Sequence, residues 1–197
     1  MKTKKYKLSF TAASLSINES VNIAKVYIKC SDWNETQKIV REKNLLQSRT
    51  NSRTTRVLAE LIPRLELLSD NQLNFLLEGS LSEQKYLLWF ANCKTYSLIK
   101  EFAIEVLREK FLSRNMKISE LDYDAFFNRK ADWNEGLEII TTLTRKKIRQ
   151  VIFHMLREAE LLTDDNTILR AMLSSRLTEV LKPDAPMSFE IFPVEPL

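Results

Sequence analysis

Glycine is almost absent. Gly79 and Gly136 are the only two among 197 residues, so turns that need a positive φ must be few, and helices joined by short polar links are the expected architecture. The same scarcity excludes a glycine-rich phosphate loop and a nucleophile elbow, both of which need glycines at fixed offsets. Histidine occurs once, at His154, and cysteine twice, at Cys30 and Cys93. Structural zinc usually wants four Cys or His ligands, so neither a metal nor another cofactor is expected. Both cysteines lie in apolar helical surroundings and read as small packing residues. Long apolar runs are missing too. The longest, Tyr86 to Ala91, falls far short of the roughly 20 residues that span a bilayer. Leu8 to Leu15 is interrupted by Ser9, Thr11 and Ser14, which argues against a secretory signal. A reduced, cytoplasmic protein without membrane contact is the expectation.

What is present is an echo. The tetrapeptide Asp-Trp-Asn-Glu occurs at Asp32 to Glu35 and again at Asp132 to Glu135, and each copy precedes a basic segment that becomes an amphipathic helix. Downstream, Arg53, Arg56, Val57, Leu58, Leu61 and Ile62 line up in order with Lys147, Gln150, Val151, Ile152, Met155 and Leu156. Glu66 to Ser69 continue the match with Glu160 to Thr163. Internal similarity of this kind identifies the building unit, here two basic helical modules in one chain.

The net charge is +4, yet its distribution is uneven. Residues 1–8 carry Lys2, Lys4, Lys5 and Lys7 without an acid; residues 41–64 carry six cations against Glu42 and Glu60; residues 141–157 carry Arg145, Lys146, Lys147, Arg149 and Arg157 without an acid. These stretches hold +4, +4 and +5, leaving −9 for the rest. Such segregation favours a surface facing a polyanion, while solvated helix faces are the plainer alternative.

Periodicity and capping residues predict helices over 18–29, 33–43 and 52–68. Pro63 is expected to kink or split the third near Leu61. In that helix Val57, Leu58, Leu61, Ile62 and Leu65 share one face, and Arg53, Arg56, Glu60 and Arg64 lie on the neighbouring one. Further helices are predicted over 70–78, 83–93 (started by Ser82) and 96–113, with Trp89, Phe90, Phe102 and Phe111 as central packing. Ser119 caps a helix over 120–130, Asp132 caps a brief one around 133–139, and Thr144 opens one over 145–161. Residues 163–169 suit a small wing, a further helical turn being equally permitted, and 172–181 form a last helix. The tail from Lys182 holds Pro183, Pro186, Pro193 and Pro196 and reads as extended, its apolar residues packing back onto the body. The fold class is thus all-α, with an N-terminal helix-turn-helix-like module (1–68), a central helical core (69–118), a C-terminal helix-turn-helix-like module (119–182) and a Pro-rich tail (183–197), together forming one globule.

Two helices joined by a polar link, the second with cations at its start and an apolar inner side, meet the needs of helix-turn-helix recognition, in which one side stays on the scaffold and the other enters a groove. Arg49, Arg53 and Arg56 suit phosphates or guanine edges, and Asn51, Ser52, Thr54 and Thr55 suit backbone or bases. Arg145, Lys146, Lys147 and Arg149 are the second set. Trihelical units of this kind also serve RNA binding and protein docking. Carboxylate pairs such as Asp122 with Asp124 read as caps and solvation, since no histidine or glycine loop accompanies them, and no enzymatic activity is expected.

The strings Phe10-Thr11-Ala12-Ala13-Ser14-Leu15, Asn44-Leu45-Leu46-Gln47-Ser48-Arg49-Thr50, Glu101 through Phe111 and Asp122-Tyr123-Asp124-Ala125-Phe126-Phe127-Asn128 resemble the BrxA family, small proteins of the BREX phage-defence systems, over about Leu8 to Leu181. The resemblance implies a compact all-α fold comparable to the RNA-binding antitermination factor NusB, an accessory role on nucleic acid, and no catalytic residues to carry over. The two basic modules put double-stranded DNA first among the expected partners, with other BREX subunits beside it and RNA, through the NusB-like resemblance, as a further possibility. Glu160 stands where the resemblance would put a glycine.

Overall fold

A computed structural model describes residues 5–12 and 14–195; Lys2, Lys4 and Pro196 lie outside them. After a 3-10 turn at Ser9–Ala12 the chain forms α1 (Ile17–Cys30), α2 (Trp33–Glu42), α3 (Asn51–Leu65), α4 (Asp70–Glu78) and α5 (Leu81–Thr95). Next come α6 (Ser97–Phe102), a π-helical segment (Ala103–Arg108) and α7 (Glu109–Leu112), which follow one another without a break. The C-terminal part contains α8 (Glu120–Ala131), α9 (Glu135–Glu138), α10 (Thr142–Glu158), α11 (Ser175–Leu181), a 3-10 turn (Lys182–Asp184) and α12 (Met187–Glu190). Among the described residues no strand forms, so the all-α expectation holds; two isolated antiparallel bridges, Lys117 with Thr167 and Leu162 with Ile168, are the only sheet-like pairing. No helix among these residues is long and apolar enough to cross a membrane.

Helix starts follow side-chain chemistry. Asp32 accepts the Glu35 amide at 2.6 Å and Thr50 that of Arg53 at 3.3 Å, satisfying amides a helix cannot pair internally. Ser69 with Gln72, Ser80 with Glu83 and Ser119 with Asp122 close reciprocal capping boxes. Three expected caps are replaced: Ser80 rather than Ser82 caps α5, Asn134 rather than Asp132 caps α9, and Thr141 rather than Thr144 caps α10. In each case the true cap has its partner three residues on, where the geometry requires it. Pro63 does not split α3. Its missing amide falls in the last turn, and the helix ends two residues later.

The body is organised around α5, whose residues from Tyr86 to Cys93 are buried without interruption, as a helix enclosed on all sides must be. The tail is not extended. It forms the 182–184 turn and α12, and it docks: Ile191 and Phe192 are fully buried, the Trp89 indole donates to the Ile191 carbonyl at 3.1 Å, and Phe192 packs edge-on to Tyr86. Apolar burial outweighed proline count there.

Glu60 and Arg64, assigned from spacing to a solvated face, are buried. The Arg64 guanidinium donates to Glu60 at 2.8 Å and to the Ser14 carbonyl at 2.6 Å, and the Tyr96 hydroxyl donates to the same Glu60 carboxylate. Burial, reinforced by its bond to the Glu60 carboxylate, raises the Tyr96 pKa even though Arg64 lies beside it. Removing one partner of such a pair strands a buried charge, so Arg64→Ala should destabilise the protein by about 3–5 kcal/mol in urea unfolding, while Glu60→Met with Arg64→Met together should cost much less.

Candidate nucleic-acid interface

α1, α2 and α3 pack on one another, and α3 and α10 both lean on α5 and on the 9–12 turn. In α3 the division between scaffold and surface runs along the helix. Leu58, Leu61, Ile62 and Leu65 are buried in its second half, whereas Asn51, Ser52, Arg53, Thr55 and Arg56 are exposed in its first two turns. Arg49, in the link, is exposed as well. None of Arg49, Arg53 and Arg56 makes an ion pair with a described residue, so their charge is directed at solvent. Thr54 departs from expectation. It is 4% exposed and its hydroxyl faces the Thr50 carbonyl at 3.4 Å, so it packs α3 onto the body and cannot reach a base.

The second module is built differently. Arg145 donates to the Asp124 carboxylate (3.1 Å), the Asp124 carbonyl (2.9 Å) and the Asn128 amide oxygen (2.7 Å), and its guanidinium lies 4.8 Å from the centre of the Phe127 ring. Arg149 pairs with Glu120 at 2.7 Å and Asp124 at 3.4 Å. Both arginines are therefore engaged by α8 and fasten it to α10, which removes them from the set of free cations. Within the acid-free run 141–157, Arg145 and Arg149 are thus balanced by Glu120 and Asp124 from upstream in the chain. Lys146 and Lys147 stay exposed and unpaired among the described residues.

The Asp-Trp-Asn-Glu echo also divides. Asp32 caps α2 and Trp33 stacks on Tyr27 with ring centres 3.8 Å apart. Asp132 instead follows the end of α8, Asn134 caps α9, and Trp133 is 85% exposed. The downstream match is sounder: Leu58, Leu61 and Ile62 in α3 and Ile152, Met155 and Leu156 in α10 are all buried. After α10, Glu160 turns the chain at φ 57 without a glycine, its carboxylate held by Lys85 at 2.6 Å and the Ser82 hydroxyl at 3.1 Å. The bridges at 162–168 then form a minimal wing. At its tip, bonds from Thr163, Lys117 and Thr167 hold the Asp165 pKa at about 2. This lowered value means that the wing's support from Asp165 is complete above about pH 4 and fades as pH falls through 2.

Sequence reasoning passed over an apolar feature. Trp133 between α8 and α9, Ile139 just after α9 and Leu143 in the first turn of α10 are more than 80% exposed, and Leu121 on α8 nearly so. Their lack of helical periodicity toward the core was the available signal.

The BrxA family model matches residues 4–184. This chain belongs to the BrxA family. A BREX protein BrxA from Bacillus cereus (strain H3081.97) is 25% identical over 159 residues, covering 81% of this chain and 80% of the relative. The crystal structure of an uncharacterized protein from Magnetospirillum magneticum superposes with a TM-score of 0.84 over 96% of this chain and all of that one, at 18% identity. That likeness concerns the fold alone. In this BrxA-family chain Asp124 is the shared anchor of Arg145 and Arg149, so Asp124→Ala should lower stability by about 1–3 kcal/mol in thermal or urea unfolding, with charged hydrogen bonds lost at a partly buried site.

Proposed function

We propose that this BrxA-family protein serves a BREX phage-defence system as a non-enzymatic subunit that holds double-stranded DNA, with α3 as the principal reading helix and Lys146 and Lys147 on α10 as a second, backbone-facing contact. The observation that carries this is the free charge of Arg49, Arg53 and Arg56 around the first turns of a helix whose far half is embedded in the body. A groove-entering helix needs that division. Arginine suits it further, because its planar donors pair with phosphate oxygens or with the O6 and N7 atoms of guanine. Asn51 and Thr55, exposed beside them, add neutral donors and acceptors at the same end. The three-part organisation, with an N-terminal unit at 1–68, a central unit at 69–118 and a C-terminal unit at 119–182, supplies the scaffold between the two contacts.

A second reading is protein docking, in which larger BREX subunits bind the C-terminal unit. The specific support is the exposed Trp133, Ile139 and Leu143, since large apolar residues left in water mark interaction surfaces and tryptophan is enriched at their centres. The two readings use different surfaces and can coexist.

Titration against duplex DNA at several salt concentrations separates them. With five unpaired cations engaged, log affinity should fall with log salt at a slope of roughly −4 to −5. Arg53→Glu with Arg56→Glu should weaken duplex binding by about tenfold or more at unchanged stability, and Lys146→Glu with Lys147→Glu by less. Undiminished affinity in both folded variants refutes this interface, and tighter binding to duplex RNA or to single strands transfers it to another nucleic acid.

A further inference from the structure

Between α1 and α2 lies an open groove of about 370 Å³. The two helices run antiparallel here, for Cys30 meets Thr36 through Sγ and Oγ1 at 3.2 Å while Asn22 reaches Leu45 through Nδ2 at 3.4 Å. Lys25 and Lys29, one turn apart on α1, face Lys43 at the end of α2, and Val26, Ile39 and Leu45 supply the apolar surface among them. No carboxylate lines the groove. None of the three lysines has an ion-pair partner among the described residues, whereas α10 shows that this chain places acids against arginines where cations serve structure. Lys29 in the last turn of α1 and Lys43 at the C-cap of α2 each sit where a cation complements a helix dipole; Lys25, a turn earlier on α1, has no such partner.

Lysines beside an apolar patch suit a ligand that joins a weakly polar face to an anion, and a flat ring carrying a phosphate is such a ligand. The ring removes Val26, Ile39 and Leu45 from water, and the phosphate meets lysines unopposed by acids. The volume lies near the lower end of the range for small-molecule sites, which suits a single nucleotide. Asn22, whose amide nitrogen is turned to the Leu45 carbonyl, keeps its amide oxygen as an acceptor for a ring amino group. We infer that the α1–α2 groove is a binding site for a nucleoside monophosphate, separate from the duplex-binding surface on α3. Lys43 and Leu45 begin the link that ends in Thr50, the cap of α3, so the two sites share one stretch of backbone without sharing side chains.

Calorimetric titration of the full chain with AMP, adenosine and inorganic phosphate tests this. AMP should bind at least roughly tenfold more tightly than either fragment, because each fragment forfeits one half of the contact. Lys25→Glu with Lys29→Glu, both on solvent-facing positions and verified as folded by circular dichroism, should lower AMP affinity by roughly tenfold or more while duplex affinity stays within a factor of two or so of the parent. The inference is overturned if AMP binds no better than phosphate, or if the double variant retains AMP affinity. It is equally overturned if the variant loses duplex affinity as Arg53→Glu with Arg56→Glu is expected to, since the groove would then be part of the duplex surface. Because AMP binding is read without DNA, failure of the duplex proposal would leave this result standing, and the reverse holds too.

Discussion

The backbone at Ser14 and Leu15 is clasped from two sides, and the placement of both basic helices rests on it. Arg64, from the far half of α3, donates to the Ser14 carbonyl at 2.6 Å, and Glu158, from the last turn of α10, accepts the Leu15 amide at 2.9 Å. In the register of the internal echo, Arg64 and Glu158 occupy equivalent positions. Their opposite charges follow from what each must meet: a carbonyl needs a donor and an amide needs an acceptor. Both helices are thereby fixed at their C-terminal ends, on the segment next to the 9–12 turn that both pack against. The free cations lie toward their N-terminal ends.

That arrangement explains why two similar helices differ in exposed charge. α3 has no acidic helix laid along its first turns, so Arg53 and Arg56 remain in solvent. α10 has α8 beside it, and Glu120 and Asp124 take Arg149 and Arg145 for themselves. Charge that looks segregated along a chain can be balanced in space, and only free charge steers a polyanion. Lys146 and Lys147 remain exposed, Lys147 falling by helical spacing opposite the Arg145–Arg149 side and Lys146 roughly a quarter turn from it.

Much of the fold was legible because local chemistry dictated it. Asp32, Ser69 and Ser119 mark helix starts where short polar side chains precede apolar periodicity, and the buried spacing of Leu58, Leu61 and Ile62 reappears in Ile152, Met155 and Leu156. Most of the misreadings share a cause, a role set by a neighbour distant in sequence; Asp132 is the exception, displaced by residues beside it. Glu60 and Arg64 look solvated by spacing until Tyr96 and Ser14 arrive around them. Asp132 looks like a cap until α8 runs on to Ala131 and Asn134 takes the amide of Leu137. The proline-rich tail looks extended until Trp89 and Tyr86 offer it a seat. At the candidate interface, Arg53 and Arg56 lie on the exposed face that periodicity gave them and Arg49 and Asn51 are exposed beside them, whereas Thr54 is buried against the body and Arg145 and Arg149 are held by acids of α8.

In the proposed interface, duplex DNA meets the first turns of α3. Backbone amide chemical shifts followed during titration of isotope-labelled protein with a short duplex address it residue by residue. The account predicts that the largest perturbations fall on residues 49–56, with a smaller set at Lys146 and Lys147 and little change along α8. Perturbations confined to the neighbourhood of Trp133, Ile139 and Leu143, with 49–56 unmoved, would contradict it.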